Sequence, residues 1–222
     1  VAGTFQNAGV SQNSIRRLNS DGSLDTSFFS GATEVTGNIE DAVLQPDGKI
    51  VIVGSFISYR GTPRNRIARV NADGTLDTTF DPGSGVQING QTGGNLVSVA
   101  LQADGRLVIA GSFDRYNGEP RLFLTRVNDN GSLDTTFNTG TGPDDVVITM
   151  GMQADGKILI GGFFFNYNGV RRDSIARLSS GQLSKQIRFT AATRSAAEGE
   201  SLELLVRRGQ GSTGAVVVPF AV

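Results

Sequence analysis

QADGRLVIAGSF, residues Gln102–Phe113, is the stretch that decides the fold. A polar segment centred on Asp-Gly precedes an apolar run, and the run closes on Gly-Ser-Phe. The phrase stands again as QPDGKIVIVGSF at Gln45–Phe56 and as QADGKILIGGFF at Gln153–Phe164, and its last half opens the chain as VAGTF at Val1–Phe5. The full copies are 57 and 51 residues apart. Self-similarity on this scale predicts a repeat architecture.

A second phrase recurs out of step with the first. Its copies are RLNSDGSLDTSF at Arg17–Phe28, RVNADGTLDTTF at Arg69–Phe80 and RVNDNGSLDTTF at Arg126–Phe137, with a degenerate RLSSGQLS at Arg177–Ser184. The chain therefore contains three whole repeats, a leading half repeat and a trailing fragment.

Each repeat reads as short strands separated by turns, with no segment of helical period. In the first repeat we predict four strands, at Ile39–Gln45, Ile50–Val53, Ile67–Asn71 and Leu76–Phe80. The uninterrupted apolar run of the second strand is typical of a strand buried on both faces. The prediction is thus an all-β chain of four-stranded, roughly 50-residue blades that form part of a β-propeller, in which each blade buries its faces against its neighbours.

Turn and core positions follow from the same register. Asp-Gly between apolar residues predicts hairpins of the primed turn type, with glycine at positive φ. In each copy of the first phrase, the glycine after the apolar run predicts a bend or a close backbone approach. The phenylalanines that recur in the two phrases are predicted to form the core. The Asp-Gly turns are Asp47-Gly48, Asp104-Gly105 and Asp155-Gly156. The glycines after the apolar runs are Gly54, Gly111 and Gly162. The phenylalanines are Phe5, Phe56, Phe113 and Phe164 in the first phrase and Phe28, Phe80 and Phe137 in the second.

The composition excludes several kinds of active site. The chain has no Cys, His or Trp, so Ser-His and Cys-His nucleophile pairs and His- or Cys-ligated metal centres are excluded within it. Its net charge of −1 gives no electrostatic attraction to nucleic acid. No apolar run approaches the roughly 20 residues that span a bilayer.

The two phrases over residues 1–185 resemble the delta-60 repeat family, which occurs in large bacterial surface and secreted proteins. The resemblance implies a β-propeller and implies no catalytic residues. From Ile187 the period is lost, and apolar residues alternate at Leu202, Leu204 and Val206 and at Val216, Val218 and Phe220, as in half-buried strands.

Residues 186–222 resemble the opening strands of a Calx-beta domain, an immunoglobulin-like β-sandwich, on Phe189, Glu198-Gly199, Val206-Arg207-Arg208-Gly209 and Gly214. The resemblance implies a weak, incomplete Ca²⁺ site at Glu198, with Glu200 beside it. No other cofactor is expected.

Recurring polar residues offer three further candidate sites, each with a structural alternative. Carboxylates four apart, Asp21 with Asp25 and Asp73 with Asp77, suit Ca²⁺, or else they hold turns and pair with arginine; the third copy has Asn130 opposite Asp134. The repeat arginines form an anion-binding ring, or each pairs with an Asp of its own repeat. We favour the structural alternative for both sets. The arginines are Arg17, Arg69, Arg126 and Arg177.

The three tyrosines of the chain, Tyr59, Tyr116 and Tyr167, fall at one repeat position, with Gly two residues later. They either form a row of exposed rings that stacks on sugars, or pack under their own loops with hydroxyls bonded to backbone. We favour the second interpretation. The longer link Gly85–Val97 of the second repeat reads as an ordinary insertion.

The sequence favours a non-catalytic structural or adhesive module of a bacterial cell-surface or secreted protein, acting as a rigid platform for protein or glycan. The alternative is a carbohydrate-binding or carbohydrate-cleaving propeller, which would converge carboxylates from several blades. We also expect the chain to be an incomplete folding unit. A partner chain, further sequence or domain exchange would then cover the strand edges of Val1–Asn19 or of the tail.

Overall fold

Antiparallel β-strands make up all the regular secondary structure in the part of the chain that the structure describes. The structure is a computed structural model that describes residues 2–7, 10–28, 35–179, 187–189 and 206–208, with side chains for 15–28 and 35–179. The chain divides into the units Val1–Gly181 and Gln182–Val222. No helix among the described residues is long and apolar enough to cross a membrane. The all-β prediction is confirmed.

The leading half repeat and the first repeat (35–80) contain seven strands. A hairpin of β1 (Ala2–Asn7) and β2 (Val10–Ile15) precedes a three-stranded sheet of order β3-β4-β7 and a small hairpin β5-β6. The strands of this repeat are β3 (Ile39–Leu44), β4 (Ile50–Gly54), β5 (Ser58–Tyr59), β6 (Thr62–Pro63) and β7 (Ile67–Val70).

The second repeat (86–137) forms the same sheet, in the order β10-β11-β14, and extends its small hairpin into a four-stranded ribbon of order β13-β12-β8-β9. Its strands are β8 (Val86–Ile88), β9 (Gln91–Thr92), β10 (Asn95–Leu101), β11 (Leu107–Ser112), β12 (Arg115–Tyr116), β13 (Glu119–Pro120) and β14 (Leu124–Val127).

The third repeat (143–179) returns to the simpler pattern, with a sheet of order β15-β16-β19 and a hairpin β17-β18. In the second unit, β20 pairs with β21 antiparallel. These strands are β15 (Val147–Met152), β16 (Ile158–Gly162), β17 (Asn166–Tyr167), β18 (Val170–Arg171), β19 (Ile175–Leu178), β20 (Ile187–Phe189) and β21 (Val206–Arg208).

The predicted fourth strand, Leu76–Phe80, is wrong. Leu76 makes only an isolated bridge to Val70, and the chain then turns because the Asp77 carboxylate accepts hydrogen bonds from both the backbone N–H and the hydroxyl of Thr79. A side chain that bonds its own backbone competes with the ladder of a sheet. Each repeat sheet therefore has three strands.

The Asp-Gly turns have the predicted glycine conformation but not the predicted turn type. Gly48, Gly105 and Gly156 have φ of 83°, 84° and 79°. The Gly48 N–H donates to the Gln45 carbonyl, and the Gln45 N–H donates to the Lys49 carbonyl. The loop thus has three residues and ends on a left-handed glycine, the alternative hairpin geometry to a two-residue primed turn.

The hydrophobic core lies between successive sheets. We call the face of each sheet that packs on the following repeat its forward face and the opposite one its backward face. Along β4, Val51 and Val53 point forward into one cluster while Ile52 points backward into another, and all three are fully buried. The prediction of strands buried on both faces is confirmed for β4 and β11.

The recurring phenylalanines occupy these cores as predicted. Those at positions 28, 56, 80, 113, 137 and 164 are all buried, at most 4% exposed. The side chain of Phe5 lies outside the described residues.

Close backbone approach explains the glycine at or next to the end of each central strand. A Cβ on Gly111 would lie 2.0 Å from the Asn95 carbonyl oxygen. A Cβ on Gly54 would lie 2.0 Å from the corresponding carbonyl oxygen of its repeat, and a Cβ on Gly162 would lie 2.1 Å from its own. The approach coincides with the register shift between Leu96 and Ser98 in the β10–β11 pairing, which is where a bulge brings backbones together.

Truncating a core phenylalanine should remove much of the stability. We expect Phe113→Ala to lower the free energy of unfolding by ~3–5 kcal/mol through lost burial and a cavity. Phe165→Ala is the matched control, because Phe165 is 63% exposed. Urea unfolding followed by circular dichroism measures both. Equal effects of the two substitutions would contradict the repeat register.

Gly111→Ala should destabilise strongly because its methyl group clashes with backbone. Gly151→Ala is the matched control within a strand, since a Cβ there meets nothing within 4 Å. Thermal unfolding of the two variants should separate them by several degrees, as a difference of about 1 kcal/mol or more does. A Gly111→Ala variant as stable as Gly151→Ala would show that the bulge is not close-packed.

Candidate functional site

An arginine, an aspartate and a phenylalanine form one cluster in each of the three full copies of the second phrase. In the first repeat the Arg69 Nε donates to Asp77 Oδ2 at 2.7 Å. The guanidinium carbon lies 5.1 Å from the centroid of the Phe80 ring, within the range of a cation–π contact. The cluster recurs as Arg17, Asp25 and Phe28 and as Arg126, Asp134 and Phe137.

Both oxygens of each aspartate are used inside the cluster. Asp134 Oδ1 accepts hydrogen bonds from the backbone N–H and the hydroxyl of Thr136, while Oδ2 accepts from Arg126 and from Arg106. The preceding turn is held in a similar way, because Asp73 Oδ1 accepts from the N–H and hydroxyl of Thr75. The structural interpretation of these carboxylates is confirmed.

The hydrogen bonds also set the acidity of these groups. Burial alone raises the pKa of the Asp134 carboxyl, but donation from Thr136 and Arg126 outweighs it and lowers the pKa to about 2. The same balance, with Thr79 and Lys49 as the first donors, holds the pKa of Asp77 well below its ordinary value. These carboxylates are therefore ionised at neutral pH and poorly suited to act as general acids.

The arginines also join successive repeats. Arg17 Nη1 donates to the Ala72 carbonyl of the first repeat at 2.6 Å, and Arg69 Nη1 donates to the Asp129 carbonyl of the second. Ala72 and Asp129 occupy the same place in their repeats, three residues after the repeat arginine. An anion-binding ring is wrong for Arg69 and Arg126, whose side chains are 10% and 1% exposed and paired with aspartate; Arg177 is exposed.

The tyrosines do not form an exposed row. Tyr59 is 1% exposed and Tyr116 fully buried, and their hydroxyls donate to the carbonyls of Gly74 and Gly131 at 2.8 and 2.6 Å. Burial raises the pKa of Tyr116. A ring enclosed by its own repeat cannot stack on a sugar, so the sugar-binding interpretation of Tyr59 and Tyr116 is wrong.

Tyr167 is half-buried and differs from the other two. Burial raises its pKa to about 12, and its ring lines an open pocket of about 270 Å³ with Phe137, Asn168, Arg172 and Arg177. In the earlier repeats the tyrosine hydroxyl bonds a carbonyl fifteen residues on. The corresponding residue, Gln182, lies outside the described residues.

The described residues contain no group of three or more Asp, Glu, His or Cys side chains arranged to hold a metal ion. Glu198 and Glu200 of the predicted Ca²⁺ site lie outside the described residues, as does most of the segment 186–222.

The non-recurring Asp41 also makes hydrogen bonds between repeats, because its Oδ2 accepts from the Val99 N–H at 2.9 Å and from the Ser98 hydroxyl at 3.2 Å.

The link Gly85–Val97 is more than an insertion, because it builds the ribbon of the second repeat. Ile88 pairs with Gln91 across Asn89-Gly90, and both turn residues have positive φ, 52° and 73°. Val86 and Gln87 pair with Tyr116 and Arg115 of β12. An Asn-Gly pair is the strongest short hairpin signal, and this one was the sign in the sequence that the link is structured.

Three-stranded sheets that share their cores with neighbours, joined by a recurring arginine cluster, define a propeller-type repeat protein. A family model described as a domain of unknown function (DUF5122) β-propeller matches residues 1–28, 45–80, 102–137 and 153–181. These segments make up more than half of the chain and contain both recurring phrases, so the chain belongs to this family. No curated protein matches the sequence.

Stability should depend on pH through the cluster aspartates. The pKa of Asp134 is about 2 in the folded protein, below its ordinary value of 3.8. Its contribution is therefore complete above pH ~4 and is lost as pH falls through ~2. We expect the thermal midpoint of the chain to fall steeply across that window.

Asp134→Asn should flatten this pH dependence and destabilise the chain at neutral pH by ~3–5 kcal/mol, since it leaves the buried Arg126 without its counter-charge. Asp173→Asn, which removes a carboxylate 63% exposed, is the control. Midpoints measured by calorimetry from neutral to acid pH compare the variants. A profile of Asp134→Asn parallel to that of the parent chain would contradict the assignment.

Proposed function

We propose that this chain is a non-catalytic interaction platform of a cell-surface or secreted protein, with the ribbon of the second repeat as its contact surface. The observation that carries the proposal is the use of the recurring polar side chains. In the described repeats, the cluster aspartates and Tyr59 and Tyr116 bond within the array. Specific binding therefore depends on features that do not recur.

The ribbon is the largest such feature among the described repeats. It adds β8 and β9 to a hairpin that the first and third repeats leave two-stranded. Its tip is exposed at Ile88, Asn89, Gln91 and Thr92, and its base is fixed by bonds from the Asp114 and Asn117 N–H groups to Gln87 and Gly85. A rigid base that carries an exposed tip is the usual arrangement of binding loops on a scaffold.

A surface location rests on the resemblance of the two phrases to repeats of bacterial surface and secreted proteins. The Calx-beta resemblance of 186–222, with Ca²⁺ at Glu198 and Glu200, belongs to the same proposal. A protein or a glycan is the expected partner.

Binding to a panel of extracellular polysaccharides and matrix proteins, measured on the immobilised chain, tests the platform. We expect Ile88→Ser with Gln91→Ala and Thr92→Ala to reduce affinity at least tenfold, a loss of ~1.4 kcal/mol. Val170→Ser, at a 49% exposed position on the small hairpin of the third repeat, should leave affinity unchanged.

Two outcomes would contradict the proposal. The first is equal binding by the ribbon variant and the parent chain. The second is release of new reducing ends from a polysaccharide, which would indicate a glycosidase. Protease accessibility of the tagged chain on intact source cells tests the location separately.

A further inference from the structure

The chain contains four Asn-Gly pairs, at positions 89–90, 117–118, 130–131 and 168–169. Asparagine is a thermolabile residue. Before glycine its side-chain amide is open to attack by the next backbone nitrogen, because glycine has no Cβ to hinder the approach. The sequence makes the four pairs equivalent in this respect, but the hydrogen bonds of the folded chain distinguish them.

Two of the asparagines have side chains that are held by the link preceding their own repeat. Asn117 Oδ1 accepts hydrogen bonds from the Gly85 N–H at 3.0 Å and from the Ser84 hydroxyl at 3.1 Å. Asn168 repeats the contact, because its Oδ1 accepts from the Gly142 N–H at 2.9 Å. Either side chain must leave these donors before its amide carbon can meet the next backbone nitrogen.

The third asparagine, Asn130, is held within its own turn. Its Oδ1 accepts from the backbone N–H and the hydroxyl of Ser132 at 3.0 and 2.7 Å. The attacking nitrogen is also occupied in two of the pairs. The Gly118 N–H donates to Gln87 Oε1 at 2.6 Å, and the Gly131 N–H donates to a carbonyl of its own turn at 3.0 Å.

Asn89-Gly90, at the tip of the ribbon, differs from the other three pairs. Both residues are exposed, and a Cβ on Gly90 would meet nothing within 4 Å. The Asn89 backbone N–H donates to Asp114 Oδ2 at 2.8 Å, but no described residue bonds the Asn89 side chain or the Gly90 N–H. The φ of Asn89, 52°, matches the 51° of Asn117 and Asn168, so the difference lies in the hydrogen bonds and not in the backbone.

We propose that Asn89 is a site of spontaneous deamidation and that it reacts fastest among the four Asn-Gly pairs of the folded chain. The Gly90 nitrogen forms a bond to Asn89 Cγ, the Cγ–Nδ2 bond breaks, and the proton of the Gly90 nitrogen leaves with the amide as ammonia. Water then opens the cyclic imide at either carbonyl and yields an aspartyl or an isoaspartyl residue. Nothing is oxidised or reduced, and the inference is independent of the ribbon's role as a contact surface.

The reaction alters the turn in which it takes place. The isoaspartyl product runs the main chain through one additional methylene, whereas a two-residue turn of this kind depends on positive φ at both of its residues. Either product also places a carboxylate near that of Asp114, which bonds the Asn89 N–H, and like charges repel. We expect the pairing of Ile88 with Gln91 to weaken.

Peptide mapping of the 222-residue chain tests the proposal. The folded chain is incubated at mildly alkaline pH, because the attacking nitrogen must lose its proton, and is then cleaved after Lys and Arg. Cleavage places the four pairs in separate peptides, 70–106, 116–121, 127–157 and 158–171. Mass spectrometry follows the replacement of the amide by a carboxylate in each peptide.

We expect peptide 70–106 to convert at least roughly tenfold faster than the other three. A tenfold difference in rate corresponds to ~1.4 kcal/mol, which is of the order of the hydrogen bonds that hold the other pairs. Asn89→Gln should abolish the conversion of 70–106, because the longer side chain must form a larger ring, and should leave the other peptides unchanged. Circular dichroism checks that this variant is folded.

The same incubation in urea is the control for the fold. The unfolded chain lacks the hydrogen bonds that hold the other three pairs, so all four peptides should convert at similar rates. The protection of 116–121, 127–157 and 158–171 should therefore disappear with the structure.

Each other result would overturn the proposal. Conversion of 116–121 or 158–171 as fast as that of 70–106 in the folded chain would show that the bonds of Asn117 and Asn168 give no protection. A peptide 70–106 that does not convert would show that the turn itself prevents the attack on Asn89. Differences that persist in urea would come from the neighbouring sequence and not from the fold.

Discussion

The sheets of the first and second repeats depend on having another sheet on each of their faces. The central strand of the first repeat places Val51 and Val53 on one side and Ile52 on the other, all fully buried. Burial of each such side chain contributes ~1.5–3 kcal/mol, and residues of a neighbouring repeat form part of the cluster that buries it. A three-stranded sheet alone would lose both cores, so stability in this architecture is shared between nearest neighbours.

The arginine clusters set the positions of the sheets once the cores have formed. A buried ion pair adds little net stability, because desolvation of the two charges offsets their attraction, but removal of one partner is costly. Arg69 satisfies this constraint by bonding Asp77, Thr79 and the Asp129 carbonyl of the next repeat while its guanidinium covers Phe80. The pair thus contributes register between repeats more than it contributes stability.

The structural features that could be predicted from the sequence are those of positions that recur in each repeat. Burial of Phe113, pairing of Arg126 with Asp134 and positive φ at Gly105 were predictable because each position repeats with its neighbours. The prediction of a fourth strand failed because the Asp77 carboxylate accepts hydrogen bonds from Thr79. The pattern of apolar residues gives no sign of these bonds.

The short hairpins were not predicted from the sequence, for a different reason. Strands of two residues are too short to show an alternation, and their only signal lies in the turn. Tyr116 pairs with Glu119 across Asn117-Gly118, and Asn168-Gly169 repeats the arrangement in the third repeat. The asparagines and glycines of these turns all have positive φ, between 51° and 81°. A tyrosine followed by Asn-Gly is thus a hairpin signature, which the sugar-stacking interpretation overlooked.

Recurrence therefore marks the scaffold, and departure from recurrence marks where one repeat differs from another at its surface. Ser112 of the second repeat becomes Phe163 in the third, and Asp114 becomes Phe165. The two phenylalanines are 62% and 63% exposed, whereas the phenylalanines at positions 28, 56, 80, 113, 137 and 164 are buried in the core. The fold accepts polar residues at both positions, because Ser112 and Asp114 occupy them in the second repeat. The exposed aromatic side chains of the third repeat and the ribbon of the second give these two repeats surfaces that the first repeat does not have.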